Sequence, residues 1–228
     1  MQVTQLMSAT HLPKDSDKED ALANLRNQGK KPYFIPSGAS THELGGLGYA
    51  RCAFEIAMQE KELEGGKFDV VIVPTMSGST LGGLVAGFKA LELEEQCSES
   101  TQKKPRKRRL IGVLAGPKDK AEFSSLIVSI AKTAAKHIGV NPESISDADF
   151  EIDDRWSAGQ YGRLDDRTRN SVKLLASLEG IITDPVYSGK ALTGLLERTK
   201  NGEIEEGQRA LFLHTGGIMS ISAYHDLR

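Results

Sequence analysis

The sequence predicts an α/β protein with an open, mostly parallel sheet and helices on both faces. Segments of strand pattern alternate with segments of helical pattern along the chain, which is the order of βαβ units. Residues 68–74, FDVVIVP, form a continuous apolar run, as expected of a strand buried on both faces of a parallel sheet. Turns rich in glycine and hydroxyl residues follow several of the predicted strands. Since ligands of such sheets bind beyond the carboxyl ends of the strands, these turns are the predicted site.

The individual elements follow from hydrophobic periodicity, strand composition and turn signals. Helices are predicted over residues 18–28 (with Asp15 or Ser16 as cap), 47–63, 81–95, 121–138, 165–178, 190–200 and from about residue 218. Strands are predicted over residues 31–36, 68–74, 110–115, 149–152, 181–184 and 210–214.

Composition excludes several classes of partner. The chain of 228 residues has a net charge of -2, which predicts neither a nucleic-acid partner nor a membrane partner. No apolar run reaches the ~18 residues that a spanning helix needs, and the start of the sequence lacks a signal-peptide pattern. Cys52 and Cys97 show neither a disulfide framework nor zinc spacing, so we expect reduced thiols, no metal site and a cytoplasmic location.

One segment departs from the alternation. Residues 96–109, QCSESTQKKPRKRR, are polar and then strongly basic. We interpret them as a basic surface loop with solvated charge. An anion or nucleic-acid patch is the sharper alternative, but the run is short, contains no aromatic residue and belongs to a nearly neutral chain.

The strongest local signal is the turn TMSGST, residues 75–80, between a buried strand and a helix. Successive N–H groups in this glycine-containing turn and the positive end of the helix behind it suit a phosphate monoester. The hydroxyl groups of Ser77, Ser79 and Thr80 add further donors. The turn matches neither a P-loop nor the dinucleotide fingerprint. The competing interpretation is an ordinary strand–helix turn capped by Ser.

Three further segments also contain candidate site residues. In TDPVYSGKAL, residues 183–192, Tyr187 is predicted to point into the crevice, although a turn and helix cap with a solvated Lys190 is an equal alternative. In HTGG, residues 214–217, two glycines allow close approach to a planar ligand, but a plain turn is favoured on local grounds. In SGASTHELGGLG, residues 37–48, His42 and Glu43 are candidates for acid–base work, although such a pair on a loop is usually solvated.

Together, TMSGSTLGGL, TDPVYSGKAL and HTGG, preceded by KPYFIPSGAS and HELGGLGY, resemble the 1-aminocyclopropane-1-carboxylate deaminase and D-cysteine desulfhydrase family. The resemblance implies the large domain of a tryptophan-synthase-β-like enzyme that uses pyridoxal 5'-phosphate on a small amino acid, releasing ammonia and a 2-oxo acid. It also implies that homodimers are common. It implies that Tyr161 and Tyr187 face the substrate, as catalytic residues. The cofactor-binding residues that it implies are Ser77, Gly78, Ser79, Thr80, Ser188, Thr215 and Gly216.

Ser188 occupies the position that the resemblance places beside the pyridine nitrogen. The deaminases proper have Glu there, in YEGK, whereas this sequence reads YSGK, which resembles the desulfhydrases. A carboxylate keeps the ring nitrogen protonated, whereas a hydroxyl donates to a neutral ring and leaves a weaker electron sink. Since β-elimination has a leaving group and cyclopropane opening is more demanding, we expect an activity closer to D-cysteine β-elimination.

The Schiff-base lysine of the family lies in a Ser-Asn-Lys segment, which this sequence does not contain. We therefore expect residues 1–30 to be a remnant of the smaller N-terminal domain and linker, residues 31–228 to be an incomplete cofactor-binding domain, and the chain alone to be inactive and of marginal stability. Lys190, at a helix start, is not expected to replace the missing lysine. A non-catalytic, truncated cofactor-binding homologue is the alternative, and an unrelated Rossmann-like module is the least favoured.

Overall fold

The computed structural model describes residues 6–13, 15–35, 38–97 and 107–227. The chain divides into two compact units, Met1–Ser37 and Gly38–Arg228. In the first unit, helix α1 (Lys18–Asn27) begins after Asp17, whose carboxylate accepts hydrogen bonds from the N–H groups of Glu19 and Asp20. The predicted cap, Asp15 or Ser16, is therefore wrong by one or two residues.

The second unit contains a sheet of four parallel strands. They are β1 (Val70–Thr75), β2 (Arg109–Leu114), β3 (Glu151–Asp153) and β4 (Ala210–Phe212). Their order across the sheet is β3-β2-β1-β4. β1 pairs with β2 over its whole length, whereas β4 pairs with β1 over three residues and β3 with β2 over three residues. The predicted parallel α/β fold is confirmed.

Five helices of the second unit cover both faces of the sheet. They are α2 (Leu47–Glu60), α3 (Ser79–Cys97), α4 (Lys120–His137), α5 (Asp166–Glu179) and α6 (Ser188–Lys200). Alternate residues of β1 face opposite sides: Val71 and Val73 belong to the core that α2, α3 and α4 cover, while Val70 and Ile72 join the core beneath α6. The apolar run of β1 is therefore buried on both faces, as the sequence predicts.

Glycines in α3 let α2 approach closely. A Cβ atom on Gly83 would lie 2.8 Å from Cβ of Tyr49 and would overlap the carbonyl oxygen of Gly46. A Cβ atom on Gly87 would overlap the carbonyl of Ala50 one turn further along α2. The close packing of α2 against α3 fixes the position of the start of α3. The turn predicted to bind phosphate, residues 75–80, which we call the phosphate turn, leads into that helix.

Two strand predictions are wrong. Residues 31–35 contain no strand, and among the described residues they pair with no neighbouring strand; Pro36 lies outside the described residues. Residues 181–184 are also irregular. The Asp184 carboxylate accepts hydrogen bonds from the N–H groups that follow it, and the Ile182 carbonyl is bonded to the His214 side chain after β4 rather than to a neighbouring strand. The predicted C-terminal helix is instead two 3₁₀ helices, Ile218–Ala223 and His225–Leu227.

The predicted basic surface loop, residues 96–109, is described only at its ends, and residues 98–106 lie outside the described residues. Arg108 is not solvated there: its side chain is 6% exposed, forms an ion pair of 2.8 Å with Glu60 and lies over the ring of Phe88. Arg109 begins β2 and forms an ion pair with Glu151. At these two positions the expectation of a solvated loop is wrong, because the cations are paired within the folded unit.

Candidate active site

The phosphate turn, residues 75–80, connects the carboxyl end of β1 to the first turn of α3. Ser77 is exposed, and Ser79 and Thr80 are half-buried. Within the described part of the chain, neither the hydroxyl groups of these three residues nor the N–H groups of residues 77–80 are hydrogen-bonded. Free donors at the positive end of a 19-residue helix form a site suited to a phosphate dianion.

Gly78 gives the phosphate turn its shape. Its φ of +103° lies in a region that residues with a side chain rarely adopt, and its carbonyl oxygen accepts the first hydrogen bond of α3, from the N–H of Gly82. A Cβ atom there would lie 3.0 Å from Cδ1 of both Ile127 and Ile130 on α4. The turn therefore rests directly on the hydrophobic core.

A second loop packs against the phosphate turn. The backbone of Gly38 approaches Ser77 so closely that a Cβ atom on Gly38 would lie 2.9 Å from the Ser77 Cβ. In the same loop, His42 uses Nδ1 to accept a hydrogen bond of 3.1 Å from the N–H of Leu44, and both His42 and Glu43 are exposed. His42 thus shapes a local turn, and the structure brings neither residue to another site residue.

Tyr161 and Tyr187 meet as a pair, which we call the tyrosine pair. Their hydroxyl oxygens are 2.5 Å apart, and their rings are edge to face with centroids 5.8 Å apart. Gly116, just beyond β2, makes room for Tyr161, because a Cβ atom on Gly116 would lie 3.1 Å from the Tyr161 Cβ and 3.3 Å from Cε of Met76. The pair is therefore close to the phosphate turn, through Met76.

Burial raises the pKa of the Tyr187 phenol, and the hydrogen bond to Tyr161 and the charge of Asp184 raise it further. Burial also raises the pKa of Tyr224, whose hydroxyl donates a hydrogen bond of 2.5 Å to the carbonyl oxygen of Gly162. Tyr187 is consequently a neutral hydrogen-bond donor over the whole physiological pH range. One phenol donates to the other, so one O–H proton of the pair stays available.

Asp184 organises the start of α6. Its buried carboxylate accepts hydrogen bonds of 2.7–2.8 Å from the N–H groups of Val186, Tyr187 and Ser188. The Ser188 side chain is fully buried, and its hydroxyl donates to the carbonyl oxygen of Gly216 at 3.2 Å. Ser188 and the turn after β4 are thus in direct contact, and the Ser188 proton faces a carbonyl in this structure.

His214 shapes the turn that contains Thr215 and Gly216, both sequence-predicted site residues. Its Nδ1 accepts a hydrogen bond of 3.1 Å from the N–H of Gly216, so its Nε2 is the atom that donates to the carbonyl oxygen of Ile182, at 2.8 Å. Thr215 is exposed and Gly216 is half-buried. The structure therefore brings Gly216 to Ser188 and leaves the Thr215 side chain toward solvent.

Lys190 is fully buried in the first turn of α6. Its ammonium group donates hydrogen bonds of 2.8 Å to the carbonyl oxygens of Ala115 and Ser157, and a longer one of 3.5 Å to that of Gln160. Burial lowers the pKa of the Lys190 ammonium, and the charges of Asp165 and Asp184 oppose that shift. The alternative of a solvated Lys190 is wrong.

The comparisons with known proteins show the family. A family model described as "Pyridoxal-phosphate dependent enzyme" matches residues 3–216. The chain belongs to this family. It is 41% identical over 206 residues to a "Probable 1-aminocyclopropane-1-carboxylate deaminase" of Cryptococcus neoformans var. neoformans serotype D, a match that covers 90% of this chain and 55% of the relative. A crystal structure of an "ACC deaminase homologue" superposes with a TM-score of 0.76 at 30% identity, covering 100% of this chain and 66% of that one.

The sequence-based resemblance to the 1-aminocyclopropane-1-carboxylate deaminase family is confirmed by these matches, and the family's cofactor is pyridoxal phosphate. The chain spans about half the length of the curated relative. The residues present fit the cofactor's phosphate group, since among the described residues no hydrogen bond engages the N–H groups of residues 77–80 or the hydroxyls of Ser77, Ser79 and Thr80. Among the described residues, no helix is both long and apolar enough to cross a membrane.

Sequence reasoning missed the residues that act through buried contacts, namely Asp184, Lys190 and Gly116. The role of Asp184 could have been predicted from the sequence, because an Asp-Pro pair just before a helix is a common start of a capped turn. The burial of Lys190 could not, since it depends on two loops from distant parts of the sequence.

Proposed function

We propose that the chain is the cofactor-binding part of a pyridoxal-phosphate-dependent deaminase or lyase that converts a small amino acid to ammonia and a 2-oxo acid. The observation on which this depends is the group of unpaired donors at residues 77–80, which lies at the same sheet edge as the tyrosine pair. A phosphate site beside neutral phenols suits a cofactor that is anchored by its phosphate while its ring is exposed to substrate.

In this proposal residues 77–80 bind the phosphate through N–H groups and hydroxyls, while Ser188, Thr215 and Gly216 lie along the ring. Bound pyridoxal phosphate supplies an electron sink for bonds at the substrate α-carbon. The tyrosine pair orients the substrate and holds a proton at a phenolic oxygen. Since burial raises the pKa of Tyr187, its phenol stays protonated and acts as a hydrogen-bond donor.

The phosphate assignment is testable by substitution. Ser79→Ala and Thr80→Val each remove one hydroxyl donor to a dianion, which is worth about 1.5–3 kcal/mol, so each should weaken cofactor binding by roughly 10–100-fold. Ser125→Ala, on the exposed side of α4, is the matched control and should leave the affinity unchanged. Fluorescence titration with pyridoxal phosphate gives the dissociation constants. Equal affinities for all three variants would contradict the phosphate assignment.

For the substrate, we propose D-cysteine, which is eliminated with one water to pyruvate, ammonia and hydrogen sulfide. The support is Ser188 in place of a carboxylate, which leaves the ring nitrogen unprotonated and suits a substrate with a leaving group. The Ser188 hydroxyl must turn from the Gly216 carbonyl, 3.2 Å away, to donate to the ring. A panel that measures 2-oxo acid release by the protein isolated from its source tests this. Faster turnover of 1-aminocyclopropane-1-carboxylate than of D-cysteine would refute it.

We further propose that the 228-residue chain has little or no turnover alone. The support is the absence of a Ser-Asn-Lys segment from the sequence and the involvement of Lys190 in three carbonyl contacts. Borohydride reduction with pyridoxal phosphate, followed by peptide mapping, should show no lysine of this chain that is modified stoichiometrically. A stoichiometric adduct on Lys190 would overturn the proposal.

A second candidate function is a truncated, non-catalytic cofactor-binding homologue, which the same unpaired donors support. The intact mass of the endogenous protein separates the two functions. A mass well above 24.7 kDa supports the enzyme, and a mass that matches this chain supports the binding protein.

For location and assembly, we propose a cytoplasmic homodimer. The support for the location is the pair of free thiols, Cys52 and Cys97, which suits a reducing compartment. Cell fractionation tests the location, and sedimentation equilibrium tests the dimer.

A further inference from the structure

Lys190 connects three segments at the carboxyl edge of the sheet. It lies on α6, three residues after Tyr187, and its ammonium contacts Ala115 after β2. The same ammonium contacts Ser157 and Gln160, which lie at the two ends of the segment just before Tyr161. We call residues 157–161 the Tyr161 loop.

The Tyr161 loop has an unfavourable backbone. Ala158 has a φ of +58°, in the left-handed region, and Gly159 follows at +68°. An alanine in that region is strained and persists only where its surroundings hold it. Among the described residues, Lys190 binds two carbonyls of this loop, and the Gly159 N–H donates a hydrogen bond of 3.4 Å to the Ser157 hydroxyl. Two backbone hydrogen bonds join the loop to its own flanks, from the Ser157 N–H to the Asp154 carbonyl and from the Arg163 N–H to the Gln160 carbonyl.

The charge of Lys190 is surrounded by acceptors. Ala115, Ser157 and Gln160 contribute carbonyl oxygens, and the carboxylates of Asp165 and Asp184 supply the nearby negative charge. A buried cation with this many carbonyl partners holds those carbonyls at fixed positions, because a carbonyl that moves away from the cation loses a charge-assisted hydrogen bond.

We propose that Lys190 is a positioning residue: its ammonium holds the Tyr161 loop in its strained form and so sets the contact between Tyr161 and Tyr187. In this proposal Lys190 acts through the Tyr161 loop rather than by contact with cofactor or substrate. The inference rests on the proposed function only for its effect on turnover. Its effect on the tyrosine pair can be measured without activity.

The test uses Lys190→Met, which keeps an unbranched side chain one atom shorter and removes the charge. Lys200→Met is the matched control, since Lys200 is exposed at the other end of α6. NMR of the chain at pH 7, with 13C at the tyrosine ζ carbons, gives the chemical shift of each of the five tyrosines, which responds to hydrogen bonding of the phenol, with Tyr187→Phe to assign the signal. Tyr161→Phe gives the result expected when the contact between the two phenols is lost.

We expect the Tyr187 ζ-carbon shift at pH 7 to move in Lys190→Met in the same direction as in Tyr161→Phe, and to be unchanged in Lys200→Met. An unchanged Tyr187 shift in a folded Lys190→Met would overturn the inference. If Lys190→Met does not fold, Lys190→Gln, which removes the charge and keeps a polar side chain, is judged by the same criterion.

In the catalytically competent protein, the double variant Lys190→Met/Tyr161→Phe adds a second criterion. If Lys190 acts through Tyr161, the double variant is at most about 3-fold slower than the slower single variant, because both changes remove the same contact. Multiplicative losses would show a general structural role and overturn the inference. A protein without turnover in every form would refute the proposed function, while the NMR result would still decide the role of Lys190.

Discussion

Gly78 combines a left-handed backbone with a tightly packed environment. Gly78→Ala should destabilise the second unit by about 1–3 kcal/mol, because the new Cβ is strained at φ +103° and lies 3.0 Å from two isoleucine methyls. Gly48→Ala is the matched control, since it lies in α2 with nothing within 4 Å of its added Cβ, and should be neutral or stabilising by up to about 1 kcal/mol. Urea unfolding measures both, and equal effects would contradict the strain argument.

Ala158 provides a second backbone test, with the opposite substitution. Ala158→Gly relieves a left-handed alanine, which offsets the extra entropy of glycine in the unfolded chain, so stability should change by less than about 1 kcal/mol. Ala176→Gly, inside α5, has no strain to relieve and should cost about 1 kcal/mol. Thermal unfolding of both variants decides the point. A larger loss at Ala158 than at Ala176 would mean that the loop is not strained.

At the scale of single residues, the local sequence predicts features that depend on neighbours in the chain, such as turns and helix starts. The hydroxyl and glycine residues of the phosphate turn, and Tyr187 just before a helix, are recognisable from their neighbours in the chain. The burial of Lys190 is not, because a lysine after a turn is usually solvated and only the distant carbonyls of Ala115 and Ser157 make its burial favourable.

At the scale of elements, a buried ionic cluster joins β3 to α6. Arg198 on α6 is 7% exposed and forms ion pairs of 2.7 Å with Asp153 and 3.1 Å with Glu151. Burial acts to raise the pKa of Asp153, but hydrogen bonds from Arg155 and Arg198 and the charge of Arg198 outweigh it and hold that pKa well below its usual value. The pKa of Glu151 is lowered in the same way, mainly by Arg109.

The lowered carboxyl pKa values set the sign of the pH dependence. Carboxylates that are more acidic when folded stabilise the protein above their unfolded pKa of about 4, and this stabilisation is lost as pH falls through the folded values. Arg198→Met should therefore cost about 3–5 kcal/mol at pH 7 and flatten the decline in unfolding free energy below pH 4. Arg51→Met, at an exposed pair with Glu55, should cost at most about 0.5 kcal/mol. An unaltered acid decline in Arg198→Met would refute the assignment.

Strand prediction succeeded where burial on both faces gives a continuous apolar run in the sequence, and it failed where there is no such run. The apolar runs of β1 and β2 identify strands with neighbours on both sides. Residues 31–35 and 181–184 also contain aromatic or β-branched residues, yet no strand among the described residues pairs with them. A strand depends on its partner as much as on its own residues, and the partner cannot be read from the segment itself.

At the scale of the whole molecule, the sheet has two short edges in the described residues. β3 pairs only with β2, and β4 only with β1. Several large apolar side chains of the same unit are exposed, including Leu178 at 70% and Ile182 at 46%, and the Ile182 carbonyl is bonded to His214 just beyond β4. Unpaired strand edges beside exposed apolar side chains favour association with other chains.

We therefore expect the isolated 228-residue chain to self-associate. The average molar mass from light scattering at 25 °C should rise with protein concentration, and Ile182→Lys, which places a charge beside the β4 edge, should reduce that rise several-fold. Leu44→Lys, at a side chain of similar exposure (50%) in the loop before α2, is the matched control for net charge and should have a smaller effect. Equal effects would show that charge alone prevents association. A monomer with a cooperative unfolding transition at high temperature would show that the edges need no partner.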